Sequence, residues 1–374
     1  MFFEKIRLRH FRNFEESEIS FSPRVNVFVG ENGQGKTNLL EALYLVSQGD
    51  SFRYSDNETL IGFGHNEAFV QAQILQNDLH YELKLAMSKS RKSLTLNEKK
   101  VSSTDIRKIF ASVVFSPESL SAIKEGADQR RELIDDLLIT FDRKNALLLL
   151  DYKKALKSRN KLLKNFLEGL ETRENTLALV ASINPSFFRL ARDLSFARIS
   201  ALRGLSKEFN NAMQYVTSNS DVDISVEYLM SGENSLNFSL DEVGNSLQKR
   251  MAELSEAELA SGLSLVGPHK HDILFLYGQK DSRFYCSQGQ QRAIILSFKM
   301  AQIVYHRKTY GTYPVLMLDD VLSELDKPKR TALISFLHEI NTQIFVTTTD
   351  FSLPDSFSMD SLSVIQVKDG KILR

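Results

Sequence analysis

The chain has 374 residues, 42% of them hydrophobic and 25% charged, and its 47 basic residues equal its 47 acidic residues in number. This globular composition leaves room for two domains, and since no run approaches 18 apolar residues it excludes a membrane-spanning helix. The N-terminal segment is charged within its first four residues and lacks a signal-peptide core, so we expect a cytoplasmic protein. The single cysteine, Cys286, excludes an internal disulfide bond, and no cluster of Cys and His residues has zinc-site spacing.

The first 118 residues predict a strand-rich region around one helix. β-branched, aromatic and alternating segments mark the strands, and an apolar helical pattern marks the helix at 38–44. The strand candidates are residues 2–9, 19–29, 67–75, 79–87 and 111–115.

Residues 30–37, GENGQGKT, fit the phosphate-binding pattern G-x-x-x-x-G-K-[ST] at every fixed position. Their glycines let consecutive backbone N–H groups face a phosphate at a helix N-terminus, where the helix dipole also favours negative charge. We expect Lys36 to reach the β and γ phosphates and the Thr37 hydroxyl to bind Mg²⁺. The predicted nucleotide contacts in this P-loop segment are Gly30, Glu31, Asn32, Gly33, Gln34, Gly35, Lys36, Thr37 and Asn38.

Residues 119–212 predict long helices. Asn184-Pro185 is typical of a helix start, with a capping side chain followed by proline at the first helical position. Mixed character follows at 220–258.

The helical segment is also basic, because residues 143–207 carry 14 Lys and Arg against five Asp and Glu. Helical wheels place two basic stripes opposite apolar residues. These stripes are either solvated faces of a helical hairpin or surfaces that neutralise DNA phosphates without reading sequence. The candidate DNA contacts are Lys153, Lys157, Lys161 and Lys164 in the first stripe and Arg189, Arg192, Arg203 and Lys207 in the second.

Residues 314–318 predict a buried parallel strand that delivers Asp319 and Asp320 at its carboxyl end. A helix at 327–340 and a strand at 342–346 follow. In P-loop enzymes an aspartate at such a strand end binds Mg²⁺ together with the loop Ser or Thr, so Asp319 joins Thr37 as a predicted metal ligand. We therefore predict one ATPase domain built from residues 1–118 and 259–374, with a mainly helical arm or lid, residues 119–258, inserted between them.

The hexapeptide SQGQQR at 287–292 opens a predicted helix at 293–305. A serine and a glycine at a helix N-terminus offer another anion-binding surface. Alone this segment also fits a polar surface turn, but its order with the P-loop and Asp319 favours a nucleotide contact.

With these motifs in place, the chain resembles the ATPases of the ATP-binding-cassette (ABC) superfamily. Within them it resembles the RecF family of bacterial recombination mediators, which is related to the heads of structural-maintenance-of-chromosomes (SMC) proteins. The likeness runs end to end and implies an α/β fold, an ABC-type ATPase head assembled from both chain ends. It rests on LRHFRNF at 8–14, the P-loop, FSPE at 115–118 with Arg130 and Arg131, VGPH at 266–269, SQGQQR at 287–292 and LDDVLSELD at 318–326.

The resemblance implies a composite ATP site between two facing copies. The signature residues Ser287 and Gly289 of one copy, flanked by Gln288 and Gln290, would contact the γ-phosphate held by the P-loop of the other. Arg12 and Asn13 join the nucleotide contacts by the same likeness. For catalysis it implies Lys36 and Asp320, the latter in the place of the water-positioning glutamate. It also implies a threonine in the place of the switch histidine, for which Thr348 is the candidate and its neighbours Thr347 and Thr349 are the alternatives. Since aspartate is one methylene shorter than glutamate, slow hydrolysis is expected.

The function implied by the resemblance is ATP-dependent DNA binding in recombinational repair. An ATP-driven homodimer would clamp DNA at gaps or stalled forks, and a weak, DNA-stimulated ATPase with ATP and Mg²⁺ as cofactors would reset it. The implied partners are RecR and RecO, acting with it in RecA loading and the SOS response, and no membrane is expected to take part.

Two segments depart from the pattern. Lys270-His271-Asp272 stands where the family often has Arg-Asp-Asp, and Glu118 is the nearest candidate for the Q-loop glutamine.

The alternatives fit less well. A transporter ATPase subunit predicts a shorter chain without so basic an insert, and an SMC-like clamp needs a far longer one for its coiled coils. A small-molecule kinase or GTPase would not need the SQGQQR segment. The N-K-x-D tetrapeptide by which GTPases bind guanine is missing from the sequence.

Overall fold

The computed structural model describes residues 1–53, 55–350 and 362–373. The strands in these ranges are β1 (Phe2–Phe11), β2 (Phe14–Ser20), β3 (Val25–Val29), β4 (Glu67–Gln76), β5 (Leu79–Ser88), β6 (Lys92–Leu96), β7 (Lys99–Val101), β8 (Ser112–Phe115), β9 (Ile224–Met230), β10 (Glu233–Asn234), β11 (Asp272–Tyr277), β12 (Lys280–Asp281), β13 (Val315–Asp319), β14 (Ile344–Thr348), β15 (Leu362–Lys368) and β16 (Lys371–Leu373). The helices are α1 (Lys36–Gln48), α2 (Asn57–Leu60), α3 (Ser103–Ile109), α4 (Pro117–Leu120), α5 (Ala127–Phe141), α6 (Asn145–Leu167), α7 (Arg173–Thr217), α8 (Leu240–Ser261), α9 (Ser282–Tyr285), α10 (Gln288–Tyr310), α11 (Val321–Glu324) and α12 (Lys327–Glu339).

By internal packing the chain divides into two units. The first contains residues 1–120, 215–218 and 303–374, and the second contains residues 121–214 and 219–302. This division assigns residues 259–302, which the sequence grouped with the ATPase domain, to the second unit.

The first unit contains two six-stranded sheets. One is antiparallel, in the order β2-β1-β4-β5-β6-β7. The other has the order β16-β15-β3-β14-β13-β8 and is parallel from β15 to β8. Helix α1 and side chains from both sheets share one hydrophobic core. Every residue of β3, β13 and β14 is buried, as expected for central strands of a parallel sheet that is covered on both faces.

The carboxyl ends of these three strands lie at one edge of the parallel sheet. In the register of the sheet, Asp319 pairs with Thr347 and Thr348 pairs with Val29. The P-loop follows Val29 directly, so the topology brings the loop, the acidic strand end and the threonine strand end together.

The second unit combines helices with a four-stranded antiparallel sheet. Its sheet has the order β10-β9-β11-β12, and the helices α5, α6, α8 and α9 belong to it in full. Helix α7 belongs to it as far as Gln214, and α10 as far as Gln302. The stretch at 220–258, which the sequence left as mixed, holds β9, β10 and the long helix α8. Helix α8 starts at a capping box in which the Ser239 hydroxyl and the Glu242 carboxylate satisfy each other's backbone N–H groups.

The prediction of one strand over residues 19–29 is wrong. Ser22-Pro23 separates β2 from β3, and proline has no N–H for a sheet ladder. The Asn26 side chain hydrogen-bonds to the backbone of Ser22, which lies outside the sheet. Its Oδ1 accepts from Ser22 N at 2.8 Å and its Nδ2 donates to Ser22 O at 2.9 Å. The strand-rich region also holds α2, α3 and the start of α4 in addition to the P-loop helix, so the expectation of a single helix is wrong as well.

The prediction of a helix start at Asn184-Pro185 is also wrong, because α7 runs through both residues from Arg173 to Thr217. Asn184 does not cap the helix. Its Oδ1 accepts from Arg159 Nε at 3.1 Å. Buried Arg159 also donates to Glu258 at 2.6 Å and to Ser264 at 2.7 Å. The Asn184 side chain, which the local pattern assigned to a helix cap, is therefore part of this tertiary polar network.

Two further element bounds differ from expectation. Strand β14 begins and ends two residues later than predicted, so Thr347 and Thr348 lie inside it. Helix α10 begins at Gln288, so most of the signature hexapeptide lies in its first turn. Among the described helices, none is long and apolar enough to cross a bilayer.

Candidate nucleotide-binding site

The P-loop joins the buried end of β3 to the N-terminus of α1. Gly33 and Gly35 have φ values of 80° and 112°, a region that favours glycine. A Cβ at Gly35 would lie 2.7 Å from Asn13 Nδ2, and one at Gly30 would lie 2.3 Å from the Val367 carbonyl oxygen. Gly33 is therefore required for its backbone conformation and Gly30 for close approach of the neighbouring chain segment. Gly35 is required for both reasons.

Lys36 begins α1 and is 7% exposed. Its Nζ donates to the carbonyl oxygens of Gly30 and Glu31, both at 2.7 Å. Burial lowers the pKa of its ammonium group, and the charges of Asp320 and Asp319 oppose that effect. The ammonium group therefore lies inside the loop and within the field of both carboxylates, as a phosphate-binding lysine requires.

Thr37 and Asp319 lie together as the sequence predicts. Thr37 Oγ1 donates to Asp319 Oδ1 at 2.7 Å, and Thr347 Oγ1 donates to the same oxygen at 2.8 Å. Burial raises the pKa of the Asp319 carboxyl, these two hydrogen bonds counter it, and the charge of Glu118 raises it further. A hydroxyl and a carboxylate side by side are oxygen donors of the kind that Mg²⁺ prefers.

Asp320 follows β13 in a left-handed conformation, with φ at 49°. Its backbone N–H donates to Thr347 Oγ1 at 2.8 Å. Its Oδ1 is buried and has no hydrogen-bond partner among the described residues. Since a buried carboxylate oxygen without a partner costs free energy, Asp320 fits a role toward a bound group or a water molecule.

Thr348, the predicted catalytic threonine, occupies the last position of β14. Its hydroxyl accepts from Asp350 N at 3.0 Å, and its carbonyl oxygen accepts from Gly30 N at 3.3 Å. The neighbouring Thr347, in contrast, contacts both Asp319 and Asp320. Thr347 and Thr348 therefore have different partners, because successive residues of a strand point to opposite faces of the sheet.

Arg12 and Asn13 lie beside the P-loop but make different contacts. Asn13 Nδ2 donates to the Gln34 carbonyl oxygen at 3.0 Å, and its Oδ1 accepts from Asn38 Nδ2 at 2.9 Å. Arg12 forms a two-pronged pair with the fully buried Glu41, with both N–O distances at 2.9 Å. Bidentate pairing to a buried carboxylate fixes the Arg12 guanidinium group at the edge of the site.

The sequence analysis did not identify Glu41. It is the one acidic residue in α1, between the buried Leu40 and Ala42, and a charge on an otherwise apolar helix face was the available signal. Its carboxylate also accepts from Ser51 Oγ at 2.5 Å.

Gln34 holds the P-loop to the turn between β15 and β16. Its Oε1 accepts from Asp369 N at 2.6 Å and its carbonyl oxygen accepts from Gly370 N at 3.0 Å. Glu31 and Asn32 are exposed at the tip of the loop.

An open cleft lies beside these residues. Arg12, Asn13 and Asn38 line one side of it, and the loop at 61–64 lines another. Phe63 on that loop is fully exposed. A planar base next to the P-loop could lie in this cleft against guanidinium, amide and aromatic groups.

The signature residues lie in the second unit, at the start of α10. Ser287 N donates to Gln290 Oε1 at 2.8 Å, and Gln290 N donates to Ser287 Oγ at 3.3 Å, which makes a reciprocal cap. Ser287, Gln288 and Gln290 are exposed, and Gly289 is half-buried. The helix N-terminus is therefore presented at the surface of its unit.

The two basic stripes differ in their surroundings. All four lysines of the first stripe, on α6, are exposed. In the second stripe, on α7, Arg203 donates to the carbonyl oxygens of Leu236 and Phe238 at 2.5 and 2.8 Å, and Arg192 pairs with Asp193 at 2.8 Å. Arg189 and Lys207 are exposed. The α6 stripe therefore offers more cationic surface than the α7 stripe.

The VGPH segment belongs to a buried polar network of the second unit. Tyr152 OH donates to His269 Nδ1 at 2.6 Å, and His269 Nε2 donates to the Ser264 carbonyl oxygen at 2.9 Å. Burial lowers the pKa of His269 to about 4 and also lowers that of His271. Arg131 donates to the His271 carbonyl oxygen at 2.7 Å. These contacts support the interior of the unit.

The parallel sheet, the P-loop, the acidic strand end and the helix-capping signature define an ABC-type ATPase head. The model of the RecF/RecN/SMC N-terminal domain matches residues 2–372 of the chain. The chain belongs to this family and, within it, to the RecF proteins.

Known relatives support this placement at the level of sequence. The protein named DNA replication and repair protein RecF from Geobacter sp. (strain M21) is 32% identical over 99% of this chain and 99% of its own length. The protein of the same name from Ligilactobacillus salivarius is 31% identical over 100% of this chain and 97% of its own length.

Solved structures agree. A structure of the recombination mediator protein RecF with ATP, in the RecFOR pathway, has a TM-score of 0.87 and 28% identity, covering 100% of this chain and 97% of that one. The Smc head domain of Pyrococcus furiosus has a TM-score of 0.54 at 18% identity, covering 100% and 96%, and shows the shared fold alone.

Proposed function

We propose that this protein is an ATP-dependent DNA-binding protein of recombinational repair, in which ATP joins two copies around DNA. One observation carries the proposal. Thr37 Oγ1 and Asp319 Oδ1 lie 2.7 Å apart at the carboxyl edge of the parallel sheet, beside the P-loop lysine. These are the groups that a Mg²⁺–nucleotide requires, and they come from opposite ends of one chain.

The residues fit the nucleotide and its metal ion. Backbone N–H groups of the P-loop and the Lys36 ammonium group would hold the phosphates, Thr37 and Asp319 would hold Mg²⁺, and Asp320 would orient the attacking water. ATP supplies the phosphoanhydride bond. Because Asp320 reaches less far than glutamate would, we propose slow, DNA-stimulated hydrolysis that serves as a reset.

The exposed signature supports a site completed by a second copy. Ser287 and Gln288 are exposed, and a capped helix N-terminus is an anion-binding surface. In the dimer, Ser287 and Gly289 of one copy would contact the γ-phosphate bound to the P-loop of the other. Nucleotide binding and DNA binding are then linked, because only the dimer presents both basic surfaces.

The names of the relatives give the biological setting that we propose. The RecF relatives are named for DNA replication and repair, and the solved RecF structures are placed in the RecFOR pathway. We propose a cytoplasmic protein that acts with RecR and RecO at gaps or stalled forks, promoting RecA loading and the SOS response.

Light scattering with and without ATP and duplex DNA tests the dimer directly. For the unaltered protein we expect the molar mass to double with ATP. Lys36→Met removes the phosphate-binding cation, so it should lose both binding of a fluorescent ATP analogue and dimerisation. Ser287→Arg should keep nucleotide binding but remain a monomer, because the bulky cation blocks the face that meets the other copy.

The matched control is Ser255→Arg, which adds the same side chain at an exposed serine of α8. It should behave like the unaltered protein. A normal ATP-dependent dimer formed by Ser287→Arg would contradict the composite site, and unchanged nucleotide affinity in Lys36→Met would contradict the P-loop assignment.

A further inference from the structure

Two histidines and a glutamate of the first unit converge on one another, and none of them belongs to the candidate nucleotide ligands. His10 lies near the end of β1, Glu15 near the start of β2, and His65 on the loop that follows α2. One ligand atom of each residue lies within 4.8 Å of the others. His10 and His65 are half-buried and Glu15 is exposed, so the cluster is open to solvent.

The geometry is directed. His10 Nε2 lies 3.3 Å from one carboxylate oxygen of Glu15, and His65 Nε2 lies 3.1 Å from the other. The two imidazole rings are stacked, with centroids 3.7 Å apart and planes 7° from parallel. Both Nε2 atoms therefore face the same carboxylate, each toward a different one of its two oxygen atoms.

These spacings suit a transition-metal ion. Zinc binds histidine nitrogen and carboxylate oxygen at about 2.0–2.2 Å, which places neighbouring ligand atoms of a tetrahedral site about 3.3 Å apart. Two histidines and a glutamate are a zinc ligand set that leaves the fourth position open. Imidazole nitrogen selects Zn²⁺, Co²⁺, Ni²⁺ or Cu²⁺ over Mg²⁺, so the cluster differs in preference from the oxygen donors Thr37 and Asp319.

Backbone hydrogen bonds hold the segments that carry the two histidines, whereas the imidazole rings can still turn about their side-chain bonds. His10 has a φ of 52°, and its carbonyl oxygen accepts from Gly62 N at 2.7 Å, which ties the loop to the end of β1. His65 N donates to the Gly62 carbonyl oxygen at 3.0 Å. Because parallel rings have parallel lone pairs, ion binding requires a rotation that opens the stack, and His65, on its surface loop, is placed to make it.

We propose that His10, Glu15 and His65 form a binding site for one divalent ion of the Zn²⁺ class, with an open coordination position. The bound ion cross-links the loop at 61–65 to the β1–β2 hairpin. That loop also carries Phe63 and lines the cleft beside Arg12 and Asn13, so the ion steadies one wall of the cleft.

Cobalt titration of the full-length protein, purified without a polyhistidine tag, tests the site. Excess Mg²⁺ occupies oxygen-only sites, and nucleotide is omitted because it chelates metal ions. We expect one equivalent of Co²⁺ to bind, with visible d–d absorption of four- or five-coordinate ions, and Zn²⁺ to displace it. Zn²⁺ should also raise the thermal unfolding temperature.

Three variants and one matched control decide the outcome. His10→Asn keeps a residue that tolerates positive φ, and His65→Gln and the exposed Glu15→Gln keep side-chain size. Each should weaken Co²⁺ binding at least about tenfold and remove the Zn²⁺-dependent rise in unfolding temperature. The control is His80→Gln. It removes an exposed histidine whose Nδ1 lies 3.0 Å from a Glu4 carboxylate oxygen outside the cluster, so it should leave Co²⁺ binding unchanged.

Asp319→Asn separates this proposal from the proposed function, because it removes the Mg²⁺ ligand and should leave Co²⁺ binding intact. Absence of Co²⁺ binding at one equivalent in the unaltered protein would overturn the metal site. Full retention of binding in His10→Asn and His65→Gln would overturn it equally.

Discussion

At the scale of single residues, Thr347 connects the two acidic residues of the site. Its hydroxyl donates to Asp319 Oδ1 at 2.8 Å and accepts from Asp320 N at 2.8 Å. Thr37 makes the second hydrogen bond to Asp319. A hydroxyl that both donates and accepts at the sheet edge fixes the Asp319 carboxylate and the Asp320 backbone at once.

Thr347→Val should therefore weaken the site while keeping its shape. The change leaves Asp320 N without an acceptor and Asp319 with one hydrogen bond fewer. We expect the free energy of unfolding to fall by about 1–3 kcal/mol, as measured by urea denaturation, and the affinity for Mg²⁺–ATP to fall as well.

Thr348→Val is the matched variant. Among the described contacts, the Thr348 hydroxyl accepts only from Asp350 N, so this change removes a hydroxyl without touching either acidic residue of the site. It should keep Mg²⁺–ATP binding and lose hydrolysis if Thr348 senses the γ-phosphate, as the resemblance implies. Equal Mg²⁺–ATP affinity in Thr347→Val and the unaltered protein would show that Thr347 does not organise the metal ligands.

At the scale of elements, α6 is the better candidate for DNA contact. Its four stripe lysines are exposed, and one of them, Lys164, pairs with the adjacent Glu168 at 3.4 Å. In α7 both Arg192 and Arg203 pair with groups of their own unit. The long helix α7 continues through Pro185 because its other contacts outweigh the missing backbone hydrogen bond. The periodic charge pattern in the sequence predicts the basic stripes. Only the packing shows which of their residues already form hydrogen bonds or ion pairs within the protein.

Charge reversal on α6 should weaken DNA binding and flatten its salt dependence. We expect Lys157→Glu/Lys161→Glu to lower duplex affinity, because each lost phosphate contact removes about 0.9 from the slope of log K against log salt. Fluorescence anisotropy at several salt concentrations, with ATP present, measures both quantities.

The control double variant is Lys99→Glu/Lys100→Glu, which makes the same charge change on exposed residues at the edge strand β7. It should bind DNA with the slope of the unaltered protein. If both double variants lose affinity equally, net charge accounts for the effect, and the α6 stripe is a solvated face.

At the scale of the whole molecule, the buried histidines of the second unit make stability depend on pH. Burial lowers the pKa of His269 from 6.5 to about 4, and the nearby Lys270 and Arg131 add to the effect. Between these values the unfolded chain binds a proton that the folded chain does not. The stabilisation is therefore complete above pH 6.5 and is lost as pH falls toward 4.

Urea denaturation at pH 7.5 and pH 4.5 should show this loss. His269 alone contributes a fall of at most about 3 kcal/mol over the full interval, from 1.36 kcal/mol per pKa unit. His269→Gln removes the titrating group, so its stability should change less between the two pH values. The exposed His80→Gln should follow the unaltered protein, and an equal pH dependence in His269→Gln would contradict the assignment.

The sequence by itself determined the local chemistry of this protein. The pattern GENGQGKT, the carboxylates after an apolar strand and the SQGQQR segment specified a nucleotide site, since each motif depends on residue types at fixed short spacing. Strands β1, β4, β5, β8 and β13 and helices α1, α10 and α12 were predicted for the same reason, because hydrophobic periodicity is local. Strands β6, β7, β9–β12, β15 and β16 were not predicted. The predictions failed at Ser22-Pro23, where the proline and the Asn26 side chain separate two strands, and at Asn184-Pro185, where Arg159 from another helix engages Asn184.

Only the tertiary structure decided which distant side chains meet. The pairing of Arg12 with Glu41, the hydrogen bond from Thr347 to Asp319 and the convergence of His10 with His65 all join separate segments. The registers of the sheets and the burial of charges set these contacts, and neither follows from spacing along the chain. The sequence therefore specified the candidate ligands of the nucleotide site, whereas the fold decided how they are held.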